Sequence, residues 1–140
     1  GKVKNPTFNI NATRASGFNL LRLEEELSAV HLRLSRVYVE NKPYAKLIER
    51  FDRPDTFFYV DPPYYNYENY YGDGIFSRND YEVIRDLLST IQGKFIMSIN
   101  DNPEIRRIYK GYNMETVDTS YSVAGADKKK KVNELLIMNY

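Results

Sequence analysis

The chain has 140 residues, enough for one domain with a real core, and its 20 Lys+Arg against 19 Asp+Glu leave a net charge of +1. Overall charge therefore announces no nucleic-acid partner, and any basic surface has to be local. The absence of cysteine excludes disulfides, thiolate zinc sites and cysteine nucleophiles, and a single histidine argues against a histidine-based metal site. No apolar run approaches membrane-spanning length and no signal peptide is visible, so the chain reads as cytoplasmic.

Residues 1–17 are polar, hold no sustained period and read as loop, with one candidate extended piece at Thr7–Ile10. From Leu20 the pattern becomes helical: Leu20, Leu23, Leu27, Val30 and Leu34 line one face, Asn19 suits the N-cap, and the acids Glu24–Glu26 lie early where the helix dipole favours them. This predicts a core-packing helix. His31 is one helical step from Leu27 and flanks that stripe, a structural or solvent-facing place rather than a catalytic one. Arg36–Glu40 alternates and is β-branched, which predicts a strand, and a helix follows from Pro43 to about Arg50.

Phe57-Phe58-Tyr59-Val60 is an apolar, aromatic run of strand length that stops at Asp61-Pro62-Pro63-Tyr64-Tyr65. Prolines cannot extend a ladder because they lack the N–H, so the acid sits at the strand's carboxyl end. In open α/β sheets that edge is where ligands bind. Asp61 and the Pro62 carbonyl can both accept from one amino group, the rigid turn holds both acceptors still, and Tyr64 offers a ring on which a planar heterocycle can stack. Such a constellation suits the exocyclic amine of a nucleobase. A base inside a duplex is out of reach, so the nucleotide would be flipped out of the stack.

Asn66–Gly74 interleaves polar residues with tyrosines and ends in glycines; a lid over a base or a strand and a surface loop with locally packed tyrosines both fit. A dinucleotide-binding reading of Gly72-Asp73-Gly74 fails, because it follows a loop and Ser77 occupies the third glycine position. Ser77 then caps a helix, with Asp80 completing a capping-box-like pattern and Tyr81, Ile84, Leu87, Leu88 and Ile91 forming its buried face up to Gly93. Lys94–Ile99 is a second strand, ending at Asn100-Asp101-Asn102, and a short helix runs from Pro103 to about Lys110. Strand, helix, strand, helix predicts a doubly wound, mostly parallel α/β sheet in which Asp61 and Asn100 end on the same edge. Glu115–Tyr121 and Val132–Met138 read as an antiparallel hairpin whose tip carries Lys128, Lys129, Lys130 and Lys131. A solvated loop and a phosphate grip both suit that run, and phosphate contact is the reading preferred.

Asp61-Pro62-Pro63-Tyr64, together with Asn19–Leu27, His31–Val37, Tyr38–Asn41, Arg53–Tyr59 and Lys131–Ile137 in that order, resembles the Dam-like DNA adenine-N6 methyltransferases, particularly their phage and prophage members. The resemblance covers nearly the whole chain. It implies S-adenosylmethionine as methyl donor, DNA as partner, a bacterial or phage-infected cell as the setting, and no metal or covalent intermediate. It implies catalytic roles for Asp61, Pro62, Pro63 and Tyr64, and a substrate and cofactor pocket involving Tyr65, Phe76, Ser77, Ser98 and Asn100. Glu40 and Asn41 would lie near that pocket, with a helix cap as the rival role. Residues 1–18 correspond to the tail of a target-recognition region, where Arg14, Lys2 and Lys4 touch phosphate or simply form a basic terminus. Residues 19–140 correspond to the carboxyl-terminal part of a Rossmann-like methyltransferase domain.

The glycine-rich turn by which the family binds its donor has no counterpart in these residues. The expectation is a carboxyl-terminal half whose sheet edge beside Phe57–Val60 is paired by a second copy, by a separate amino-terminal half, or by the strand near Val37. An inactive remnant or DNA-binding module, and a cytosine-N4 or RNA amino-methyltransferase, are the alternatives.

Overall fold

The computed structural model describes residues 20–122 and 129–140, with side chains over 22–119 and 132–140. The chain divides into two compact units, Gly1–Lys42 and Pro43–Tyr140. The loop predicted over 1–17, Arg14 and Lys128 lie outside the described residues.

In the first unit, α1 spans Leu20–Leu34 as the leucine spacing predicts. Its stripe is not a buried one: Leu27, Val30 and Leu34 are exposed, as is His31. The strand expected at Arg36–Glu40 is absent. The Val37 N–H is taken by the Leu34 carbonyl at 2.9 Å in the turn that ends α1, and Tyr38 and Val39 are each 89% exposed. A β-branched run becomes a strand only when a partner satisfies its N–H and C=O groups, and none of the described strands pairs with it.

In the second unit, α2 (Tyr44–Phe51) starts after Pro43. It is followed by β1 (Phe57–Val60), α3 (Arg78–Leu88), β2 (Lys94–Asn100), α4 (Pro103–Ile108), β3 (Asn113–Ser122) and β4 (Lys129–Met138). The sheet order is β1-β2-β4-β3. β1 and β2 are parallel, with Phe58 opposite Phe95 and Val60 opposite Met97, so the β1–α3–β2 unit forms as the alternation predicts. The last strand does not continue the parallel run. β4 lies antiparallel between β2 and β3, pairing Asn100 with Glu134 on one side and Val117 with Glu134 on the other. The described sheet is thus mixed rather than mostly parallel, because a hairpin inserts its second strand next to β2.

Alternation along the strands separates the two sheet faces. Phe95, Met97 and Ile99 of β2 and Leu135 and Ile137 of β4 meet Ile48 of α2, Tyr81, Ile84 and Leu88 of α3, and Ile105 and Ile108 of α4 in one core. Phe57 and Tyr59, on the opposite face of β1, are exposed. The described helices of this unit therefore pack on one face of the sheet. Leu87 and Ile91, expected in the core, are only partly buried against it.

The helix starts follow local chemistry. Ser77 caps α3, and its N–H donates to the Asp80 carboxylate at 2.8 Å to close a capping box. Asn102 caps α4 by accepting from the Glu104 N–H at 2.9 Å, with Pro103 in the first turn. At the hairpin, Lys129, Lys130 and Lys131 are not in a tip: their backbone extends β4 opposite Ser122, Tyr121 and Ser120. A ladder already running through ten residues of β3 carries the pairing past the apolar stretch into the lysines.

Candidate active site

β1 ends where it does because Pro62 and Pro63 have no N–H to donate, and the chain leaves the sheet at Asp61. The parallel partner β2 ends beside it, and antiparallel β4 brings Glu134 to the same edge, opposite Asn100. The ends of β1 and β2 and the middle of β4 therefore lie around Asp61-Pro62-Pro63-Tyr64.

Asp61 is exposed, Pro62 is buried, and Pro63 and Tyr64 are half-buried. Ser98 is only 6% exposed, and its hydroxyl donates to Asp61 Oδ1 at 3.3 Å and lies 2.8 Å from the Tyr59 hydroxyl. Tyr59, Ser98 and Asp61 form a chain of hydrogen bonds that steadies one carboxylate oxygen. Tyr59 was legible only as a strand residue.

The turn after Asp61 is fastened at three points. The Asn100 amide pairs with the backbone of Tyr65 in both directions, accepting from its N–H at 2.8 Å and donating to its carbonyl at 3.2 Å. The Tyr64 hydroxyl donates to Glu134 Oε1 at 2.6 Å. The Tyr81 hydroxyl, rising from α3, donates to the Pro63 carbonyl at 3.0 Å. Burial, reinforced by the Glu68 carboxylate 3.5 Å away, pushes the Tyr81 phenol well above its usual range, so it remains a protonated donor. Glu134 and Tyr81 were read from the sequence as strand and core positions; nothing in their spacing shows that they meet this turn.

Other expected pocket residues have structural partners. Phe76 is 8% exposed, its ring edge-on to Tyr81 at 5.0 Å, so it supports the turn from beneath. Ser77 is the cap of α3. Tyr65 packs on Tyr81, with Arg78 over its ring at 5.1 Å. Asn66 then takes φ +74°, reversing the chain, and Arg78 donates to its side-chain oxygen at 3.0 Å. Beyond it, Glu68–Tyr71 forms a single 3-10 turn with Tyr67 and Tyr71 exposed.

The glycines with positive φ, Gly72, Gly74 and Gly111, lie in the loop before α3 and the turn before β3, none of them directly after a strand. Phe76 is committed to the core. What the turn presents is an exposed carboxylate followed by a half-buried aromatic ring. Among the described residues no group of three or more His, Cys, Asp or Glu side chains is placed to hold a metal ion, and no helix is long and apolar enough to cross a membrane.

The model for the D12 class N6 adenine-specific DNA methyltransferases matches residues 4–123. The chain belongs to that family. The family is one of adenine-specific DNA methyltransferases. No curated protein matches the chain.

Proposed function

We propose that this chain carries the base-binding part of a site-specific DNA adenine-N6 methyltransferase, within a Rossmann-like methyltransferase domain that residues 19–140 belong to. The carrying observation is Asp61: an exposed carboxylate at the carboxyl end of β1, steadied by Ser98 and followed by a turn fastened to three other elements. Asp61 and the Pro62 carbonyl accept from the amine of a flipped adenine, drawing its lone pair out of conjugation with the ring so that it can face the donor. Tyr64 stacks on the base. Positioning of this kind supplies much of the acceleration in a direct displacement. S-adenosylmethionine is the methyl donor we assign. Lys128, Lys129, Lys130 and Lys131 and Arg14 are assigned to phosphate, with residues 1–18 on the target-recognition side, and a cytoplasmic setting suits a DNA substrate.

The test is methyl transfer from labelled S-adenosylmethionine to duplex DNA, with the modified base identified after digestion. N6-methyladenine is expected, and Asp61→Ala should abolish it while the circular dichroism spectrum is kept. Retained turnover by Asp61→Ala would refute the role of that carboxylate, and N4-methylcytosine or product on RNA would refute the substrate. A second reading, a DNA-binding module without transfer, predicts salt-dependent DNA binding and no labelled product.

A further inference from the structure

Tyr64 and Tyr65 are held by two residues that face each other across a ladder. Asn100 of β2 and Glu134 of β4 are register partners, so their side chains leave neighbouring strands at one level. The first binds the Tyr65 backbone through both ends of its amide, and the second takes the Tyr64 hydroxyl at 2.6 Å. A phenol donating to a carboxylate makes a short, charge-assisted bond, stronger than one between neutral groups. A tyrosine ring has two side-chain torsions. The hydroxyl lies on the axis of the second torsion, so its bond to Glu134, with the main chain tied at the next residue, fixes the first torsion and hence where the ring sits.

We infer that Glu134 is a positioning residue: with Asn100 it forms a cross-strand clamp that holds the Tyr64 ring in place before a base arrives. The inference rests on the proposed role of Tyr64 as the stacking ring and deepens it. A ring fixed beforehand need not be ordered on binding, so the clamp acts on affinity for an extrahelical base rather than on contacts with it. It also makes the site depend on β4, far along the chain from the Asp-Pro-Pro-Tyr turn, so that the base platform is complete only once the hairpin has inserted beside β2.

The probe is a DNA duplex with 2-aminopurine opposite an abasic site, whose fluorescence reports stacking of an already unpaired base; it is titrated with the full chain, after circular dichroism has shown each variant folded. Stacking quenches the probe with the unaltered chain, and Tyr64→Ala removes the quenching. Glu134→Leu and Tyr64→Phe should each weaken probe binding about tenfold, the loss of one good hydrogen bond. The double variant should be no weaker than either alone, because both remove the same bond. Glu134→Gln, which still offers an acceptor oxygen, should recover most of the affinity. A merely structural Glu134 would lower the unfolding midpoint and leave the quenching curve unmoved. Wild-type binding by Glu134→Leu, or additive losses in the double variant, overturns the clamp while the stacking role stands. If Glu134→Leu does not fold, Tyr64→Phe decides, since it removes only the hydroxyl. Quenching that survives Tyr64→Ala, or is missing in the unaltered chain, overturns the stacking reading and the clamp with it.

Discussion

Gly93 closes the gap between α3 and β2, and a Cβ there would lie 2.6 Å from the Thr56 carbonyl oxygen and 3.0 Å from that of Arg53. Both are backbone atoms on the segment leading into β1, and they cannot swing aside as a side chain can. The Gly93 N–H is also bound to Asp52 at 2.9 Å, and its carbonyl accepts from Asn139 at 3.0 Å. Gly93→Ala must therefore push β1 away from β2, and overpacking of this kind costs about 1–3 kcal/mol. The urea midpoint should fall accordingly, and an unchanged midpoint would show that the segment yields. Ser98 has the opposite character: it is small, buried and engaged with both Tyr59 and Asp61. Ser98→Ala keeps the volume and removes the hydroxyl, so methyl transfer should fall roughly tenfold, in keeping with one lost hydrogen bond, with little change in unfolding. A larger loss of stability than of turnover would make Ser98 a packing residue.

The N-terminus of α3 joins two helices through one carboxylate. Asp80 receives the Ser77 N–H at 2.8 Å, the Ser77 hydroxyl at 2.7 Å and the Tyr44 hydroxyl of α2 at 2.7 Å. Partial burial alone would raise its pKa, but these hydrogen bonds from Ser77 and Tyr44 together hold it below its ordinary value of 3.8. A folded-state pKa below the unfolded one gives stability that is fully present above the unfolded value and is lost as pH falls through the folded one. Unfolding midpoints measured downward from neutral pH should therefore hold until about pH 4 and then decline. Asp80→Asn should flatten that decline; an acid limb of unchanged slope would assign it to other carboxylates. The element also shows what was legible beforehand. Ser77, Asp80 and the spacing of Tyr81, Ile84 and Leu88 announce a capped amphipathic helix, since caps and periodicity act within a few residues. That Tyr44 would reach Asp80 from α2 has no local signal.

The sheet as a whole leaves the outer side of β1 without a partner among the described strands, and Phe57 and Tyr59 are exposed on its open face. Unpaired edges of this kind invite pairing with another chain. We predict that the chain, 16.5 kDa as a monomer, self-associates through β1. Sedimentation should show a mass rising with concentration, and Phe57→Lys should suppress it by placing a charge on the edge. A concentration-independent monomer with rapidly exchanging β1 amides would contradict the prediction.

What the amino-acid sequence determined by itself is what depends on neighbouring residues. A strand halts at Asp61 because proline has no N–H; helices begin at Ser77 and Asn102 because their side chains accept orphan amide protons; β1–α3–β2 is parallel because a helix connects its strands. On those grounds the acid, its turn and the Asn100 end of β2 could be placed on one edge before any coordinates. Tertiary structure alone decided the rest. Val37–Val39 has strand composition but lacks a ladder, whereas Lys129–Lys131 has loop composition and is carried into one. Tyr81 and Glu134 reach the turn because distant segments converge there, and a hydrogen bond across such separations depends on how the strands and helices pack, which no short stretch of sequence contains.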